Sequence, residues 1–365
     1  MLLTRFDLFQ YRLPLVAALK LKGTLLLERK GLLVCLASAT GAVGWGEVSP
    51  LPGFSRESLE EARQQLLELR ESLLGWAITS DWVEREGAFV HHVDARKLAP
   101  SVRFGLELAV WNLFAAARGR TLSHLVARQP RTTVSLSGLL LGASDEILEK
   151  ARRLREAGFR AVKLKVGRRA VEEEVELVRA LSRVLEPDVR LRVDANRAWS
   201  LDDAGAFVRG VTGVAIEYIE EPLADPKLLP DLVAQYEVPV ALDETLLDVT
   251  VQGLGLHKYA RAVILKPMLL GGLVPTLRMA DRAMALGMTP VLSASFETGI
   301  GLQGLVALAA GLGPHDIPVG LDTYRWLADD VIDPRLELSQ GQIDVPAMLK
   351  TRRTVDQQFL RAIER

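Results

Sequence analysis

The sequence predicts an α/β protein: a closed parallel barrel of seven or eight βα units, preceded by an α+β domain. From Thr132 onward, short apolar strands alternate with amphipathic helical segments, and strand starts recur at intervals of about 22–29 residues, one βα unit each. Before Thr132, strands come first and helices follow without alternation, which is α+β grammar. So many βα units in a row mean a parallel sheet, and their number favours a closed barrel over an open doubly wound sheet. A chain of 365 residues is long enough for both parts.

Residues 2–13 and 23–47 read as strands, rich in Leu, Val and Phe and broken by glycines such as Gly23 and Gly41. Two prolines and Gly53 make Glu47–Ser55 a loop with one conspicuous aromatic, Phe54. A helix over 55–74 follows, with Leu59, Ala62, Leu66, Leu69 and Leu73 on one stripe. A second helix spans 101–118, stopped by Gly119. Barrel strands fall near 133–141, 161–166, 189–194, 214–220, 239–243, 261–266 and 289–293, and a short eighth near Pro318–Leu321 closes the ring. The tail is expected to pack back on the first domain and to end in a helical segment over 354–364.

The chain is 49% apolar and 25% charged, with a net charge of −1. That balance gives no electrostatic case for nucleic acid or for an acidic membrane surface. No apolar run reaches the roughly 18 residues of a membrane span. The first fifteen residues carry Arg5, Asp7 and Arg12, unlike a signal peptide. The single cysteine, Cys35, sits in an apolar run and reads as a core residue, which fits a reducing compartment. Cytoplasmic location is the resulting expectation, and oligomeric state stays open.

The stretch Leu191–Trp199 carries the functional argument. Leu191 and Val193 share one face of a strand, Arg192 and Asp194 the other, because strand side chains repeat with period two. Asp194 stands where the strand ends, and acids at barrel strand ends tend to be functional. Four other strands repeat the pattern. Lys163 and Lys165 share a face in Val162–Val166; Glu220 follows the phase of Ile216 and Tyr218; Asp243 ends Ala241–Asp243; Lys266 ends Ile264–Lys266. A single strand-end lysine or glutamate is usually just solvated. Five consecutive strands ending in charge on the inward phase must neutralise one another or bind something, since burying them unpaired costs several kcal/mol each.

Three carboxylates meeting at one point repel unless a cation lies between them. Oxygen donors select a hard ion, and no histidine or cysteine belongs to the set, which argues against zinc. Mg²⁺ fits, with Mn²⁺ the alternative. Lysines on the second and sixth strands then flank the ion, and neighbouring positive charge lowers a lysine's pKa towards the range of a general base. The natural reaction is removal of a proton alpha to a carboxylate, with the metal stabilising the enediolate. A small-molecule carboxylate is the implied partner.

These residues resemble the enolase superfamily. The Lys-x-Lys, Asp-x-Asn, Glu-Glu-Pro, Asp-Glu and Lys-Pro elements, in this order and spacing, are similar to those of its muconate-lactonising subgroup. The resemblance implies a (β/α)7β modified TIM barrel over 101–322, an α+β capping domain over 1–100, and a tail over 323–365 returning to the cap. Four stretches, Gly44–Ser55, Arg192–Trp199, Ser293–Thr298 and Gly320–Thr323, further resemble a branch of dehydratases of quinone biosynthesis. Ala294 and Gly299 stand where some relatives carry serines. The resemblance implies that Asp194, Glu220 and Asp243 bind Mg²⁺, that Lys165 is the base, that Lys266 stabilises the enediolate from the opposite side, and that Lys163 tunes Lys165. It makes Glu244 a supporting partner of Lys266, and Asn196 and Arg192 supporting neighbours of the metal ligands. It places Ser293, Ser295 and Gly320 around the substrate's second carboxylate and closes Phe54 over the site. The same inventory also fits an amino-acid racemase or dipeptide epimerase with two lysine bases, and, remotely, a metal-bound scaffold without catalysis.

Overall fold

The computed structural model describes all residues except Glu186, Pro314, Ser339, Arg352, Glu364 and Arg365. Three antiparallel strands open the chain: β1 (Leu3–Leu21), β2 (Thr24–Ser38) and β3 (Val43–Val48). In β1, Phe6, Leu8, Tyr11 and Leu13 are buried, two alternating pairs whose phase changes between Leu8 and Tyr11. β1 runs beyond the expected end at 13. It pairs with β2 through a two-residue turn at Lys22–Gly23, both at positive φ (42° and 84°), as a tight hairpin requires. The extension carries Ala18–Leu21 to the mouth of the barrel.

The helix Leu59–Leu73 starts on a capping box, Ser58 with Glu61, and buries Ala62, Leu66, Leu69 and Leu73. The helix Pro100–Ala117 is buried nearly all round because it is packed on both sides, against β2 and β3 and against barrel helices. Its approach to β3 is so close that a Cβ at Gly46 would lie 1.8 Å from the Gly105 carbonyl oxygen. No residue other than glycine fits there.

The chain then enters β4 (Thr133–Ser135), followed by the parallel strands β5 (Ser137–Leu140), β6 (Ala161–Lys165), β7 (Arg190–Asp194), β8 (Ile216–Glu220), β9 (Val240–Leu242), β10 (Ala262–Leu265) and β11 (Thr289–Leu292). The seven from β5 to β11 form one sheet in sequence order. The expected eighth strand is present as two parallel bridges, Leu136 with Val319 and Ser293 with Gly320, which close the ring. The first expected strand is split. β4 pairs outside the barrel with Gln342–Asp344 of the tail, and only β5 is a stave. Inside the ring, Tyr218, Ala241, Ala262, Ile264 and Val291 form a small core of their own, and Leu191 and Val193 join the outer core.

One phase expectation needs correction. The register between β7 and β8 shifts, pairing Leu191 with Ile216 but Arg192 with Tyr218. Glu217 is the extra residue of a bulge. Ile216 therefore packs on the outer core, while Tyr218 and Glu220 keep the inward phase.

The tail holds β12 (Ile332–Asp333), β13 (Gln342–Asp344), β14 (Thr354–Val355) and β15 (Leu360–Ala362). The helix expected over 354–364 is not formed; of that range Glu364 lies outside the described residues. The segment is extended, with one short 3₁₀ turn at Gln357–Phe359. β15 pairs with β1, Tyr11 opposite Leu360 and Phe9 opposite Ala362. It satisfies backbone groups that a helix would leave unpaired on the β1 edge. The first sheet is thus ordered β15-β1-β2-β3. No helix among the described residues is long and apolar enough to cross a membrane.

Candidate active site

The charged strand ends meet at one mouth of the barrel. Register alone brings the first three together, since Lys165 pairs with Asp194 and Asp194 with Glu220 across β6, β7 and β8. Lys163 donates to both oxygens of Glu220 at 2.7 and 2.8 Å and lies 2.8 Å from Asp194 Oδ2. Lys165 donates to Asp194 Oδ2 at 2.5 Å and to Asn196 Oδ1 at 2.6 Å. Across the mouth, Lys266 donates to Asp243 Oδ2 at 2.5 Å. Asp194 and Glu220 are fully buried, and Asp243 is 5% exposed.

Burial opposes the charge on Asp194, but Lys163 and Lys165 outweigh it and hold its carboxyl far below the usual range. Glu220 is pushed well above its usual range by burial and by repulsion from Asp194 and Asp243. Burial opposes the ammonium of Lys163 too, yet Asp194, Glu220 and Asp243 hold its pKa well above normal; Lys266 is raised in the same way by Asp243. The lowered lysine pKa expected from the sequence presupposes a cation among the acids. Here the ammonium groups themselves neutralise the acids. No set of His, Cys, Asp or Glu among the described residues is grouped as a ready metal cage. The donor chemistry nonetheless fits a hard divalent ion. The oxygens are all carboxylate and stand at the ends of three neighbouring strands, and repulsion from Asp194 and Asp243 adds to burial in raising Glu220.

A cavity of about 420 Å³ opens over this cluster. The barrel contributes Lys163, Lys165, Glu220 and Lys266, and the cap contributes Leu19, Leu21, Leu51 and Phe54. The Phe54 ring lies under the ammonium groups of Lys22 (4.1 Å) and Lys266 (5.8 Å). Ser293, Ser295 and Gly320 line the same cavity. Ser293 Oγ donates to the Gly320 carbonyl at 3.3 Å, and the buried Ser295 hydroxyl has no hydrogen-bond partner among the described residues.

The supporting neighbours are arranged somewhat differently from expectation. Asn196 accepts from Lys165, and its backbone N–H donates to Asp194 Oδ1 at 3.0 Å. Glu244 meets Asn196 (3.4 Å) and Lys22 (3.8 Å), while the recorded partner of Lys266 is Asp243. Arg192 lies within the ring, donating to Glu217 at 2.5 Å and to the Pro318 carbonyl at 2.7 Å.

Sequence reasoning left several framework residues without a role. Fully buried Glu221 accepts from the backbone N–H groups of Asp243 (2.8 Å) and Thr245 (2.7 Å) and from Arg197 Nε (2.9 Å), so Arg197 and Glu221 together fix the loop bearing Asp243. Trp199 packs on Phe207 with ring centres 4.5 Å apart. Buried Arg29 ties cap to barrel, donating to the carbonyls of Ser49, Pro50 (2.7 Å) and Phe296 (3.1 Å). Glu47 accepts from Tyr11 (2.7 Å) and from the backbone N–H of Thr298 (2.9 Å) and Gly301 (3.0 Å), at the start of the helix Gly299–Gly311. Glu47, a charge in the otherwise uncharged strand Val43–Val48, was an available signal, whereas Arg29 between Glu28 and Lys30 was not.

Residues 146–349 match the family described as enolase C-terminal domain-like, and residues 3–113 match the MenC N-terminal domain. The o-succinylbenzoate synthase of Pasteurella multocida is 31% identical over 339 residues, covering 91% of this chain and 93% of that protein. Among solved structures, a muconate lactonizing enzyme superposes with a TM-score of 0.83 at 21% identity, covering 99% of this chain and all of the other. The dipeptide epimerase of Enterococcus faecalis V583, in complex with Mg and the dipeptide L-Leu-L-Tyr, gives 0.82 at 20% identity, covering 94% and 97%. These two neighbours share the fold, a modified TIM barrel with an α+β cap. The chain belongs to the enolase superfamily and, within it, to the family of the o-succinylbenzoate synthases.

Proposed function

We propose that this protein catalyses the Mg²⁺-dependent syn dehydration of 2-succinyl-6-hydroxy-2,4-cyclohexadiene-1-carboxylate to o-succinylbenzoate, a step of menaquinone or phylloquinone formation. The observation that carries the reading is the placement of Lys165 and Lys266 on either side of the carboxylates of Asp194, Glu220 and Asp243. The synthase relatives and the MenC N-terminal domain select this reaction among those that such a site can perform. Asp194, Glu220 and Asp243 would hold the ion, which would supply Lewis-acid stabilisation of the charge that builds on the substrate carboxylate. Mn²⁺ can stand in for it.

Lys165 takes the proton alpha to the carboxylate, and the substrate becomes an enediolate. The same Nζ then returns that proton to the departing hydroxyl on the same face. The C–O bond breaks, water leaves, and the ring becomes aromatic. Lys266 stabilises the enediolate from the opposite face through its ammonium charge. Lys163 keeps Lys165 close to like charge. Asn196 orients Lys165, Glu244 supports Asn196, and Arg192 braces the strand that bears Asp194. The Ser293, Ser295 and Gly320 region receives the succinyl chain, and Phe54 with its loop excludes water. The setting is cytoplasmic.

Purified protein supplied with the cyclohexadiene substrate and Mg²⁺ aromatises it far above the spontaneous rate; a rate equal to the spontaneous one contradicts the proposal. The epimerase neighbours favour a second reading, racemisation with two lysine bases. Lys266→Arg separates the two. The variant keeps measurable dehydration if one base suffices, and racemisation is lost because it needs both.

A further inference from the structure

Six cationic side chains line the cavity: Lys20, Lys163, Lys165, Arg168, Arg192 and Lys266. Four of them are committed. Lys163, Lys165 and Lys266 hold the buried carboxylates, and Arg192 holds Glu217 and the Pro318 carbonyl. Among the described residues, the side chains of Arg168 and Lys20 have no recorded hydrogen bond or ion pair. The one aspartate of the lining, Asp322, is held by Arg325 at 2.6 Å and Lys150 at 3.7 Å, so it does not draw either cation away.

Arg168 is also presented by a fixed piece of backbone. The fully buried carboxylate of Glu174 accepts the N–H groups of Gly167 (2.9 Å), Arg168 (2.9 Å) and Arg169 (3.2 Å), and Arg169 itself is tied to the Gly142 carbonyl at 2.6 Å. Gly167, at φ 74°, lets this loop pack against Ala198, where a Cβ would lie 2.3 Å away. Three successive N–H groups satisfied on one buried carboxylate hold the backbone from which Arg168 projects in one conformation. The pinned loop follows directly on Lys165. Around the ring, the strand order places it on the other side of β5 from Gly320 and Ser293.

We propose that Arg168 is a specificity residue that grips the distal carboxylate of the succinyl chain, so that the site selects substrates with two carboxylates. This rests on the functional reading above and extends it to the far end of the substrate. A guanidinium fork suits a carboxylate better than an ammonium does, and a hydrogen bond between charged partners is among the stronger ones. Lys20, on the cap hairpin, adds only a point charge to the same cavity.

The test uses Arg168→Met, whose loop keeps its backbone anchors to Glu174. With the cyclohexadiene dicarboxylate, KM rises by at least about tenfold while kcat stays within roughly threefold. Calorimetry with o-succinylbenzoate and with its succinyl-end amide gives an independent readout. The wild type prefers the diacid by about tenfold or more, the variant binds both alike, and Arg168→Lys recovers part of the preference. An unchanged KM and an unchanged diacid preference in Arg168→Met overturn this inference alone, as does a wild type that turns substrate over but does not distinguish acid from amide. A wild type with no turnover and no product binding overturns the functional reading as well.

Discussion

Lys165 donates to Oδ1 of Asn196 at 2.6 Å, and Asn196 holds that position from the left-handed region, at φ 44°. The side chain orients the proposed base, and the backbone conformation suits asparagine or glycine. Asn196→Gly removes the amide without strain. Its kcat for aromatisation falls between about ten- and a hundredfold, the range expected when a reacting group loses its orientation. Its melting temperature, followed by circular dichroism, stays close to that of the wild type. An unchanged kcat contradicts the orienting role.

Arg197 and Glu221 are coupled directly, with Arg197 Nε 2.9 Å from the carboxylate that holds the Asp243 backbone. Arg197→Met leaves the buried carboxylate of Glu221 with backbone donors but no cation, and Arg197 is partly exposed, so the loss is about 1–3 kcal/mol after solvent screening. Chemical denaturation checks the value. The double variant Arg197→Met with Glu221→Gln is less destabilised than the sum of the two single changes, because the uncompensated charge is gone. Strict additivity contradicts the coupling.

Much of this site is legible in the sequence because its cause is local. Period two separates Leu191 and Val193 from Arg192 and Asp194, and the same period puts Lys163 and Lys165 on one face. What was not legible depends on partners far away in sequence. Arg29 meets Phe296 across 267 residues and Glu47 meets Thr298 across 251, so neither charge discloses its purpose within its own strand. The Glu217 bulge depends on how β7 and β8 pair, and the extended end of the tail depends on a β1 edge that needs a partner. No local pattern encodes either.

Arg29 joins the two halves of the cavity wall. Arg29→Met leaves the carbonyls of Ser49, Pro50 and Phe296 buried without their donor. Stability falls by about 3 kcal/mol or more in urea unfolding. The value of kcat/KM falls as well, since Ser49 and Pro50 lead into the loop with Leu51 and Phe54. A variant that loses stability but keeps full kcat/KM contradicts the link between this tie and the site.

Glu297 gives a pH signature. Burial, with repulsion from Glu47, pushes its carboxyl up to about 7. Its folded pKa is then above its unfolded value, so the folded state binds the proton more tightly. Its contribution is greatest at low pH, declines as pH rises through about 4.5 to 7, and levels off above. Glu297→Gln removes that slope. The stability of the variant relative to wild type is greater at pH 8 than at pH 5, by up to about 3 kcal/mol. A difference independent of pH contradicts the assignment.

The central claim is that Lys165 removes and returns the proton in an aromatising dehydration. The most direct measurement follows formation of the aromatic ring by absorbance, with Mg²⁺ and the cyclohexadiene substrate, for wild type and Lys165→Ala. Circular dichroism confirms that both are folded. The account predicts rapid aromatisation by the wild type and none above the spontaneous rate by the variant. A folded Lys165→Ala protein that retains near-wild-type turnover contradicts it.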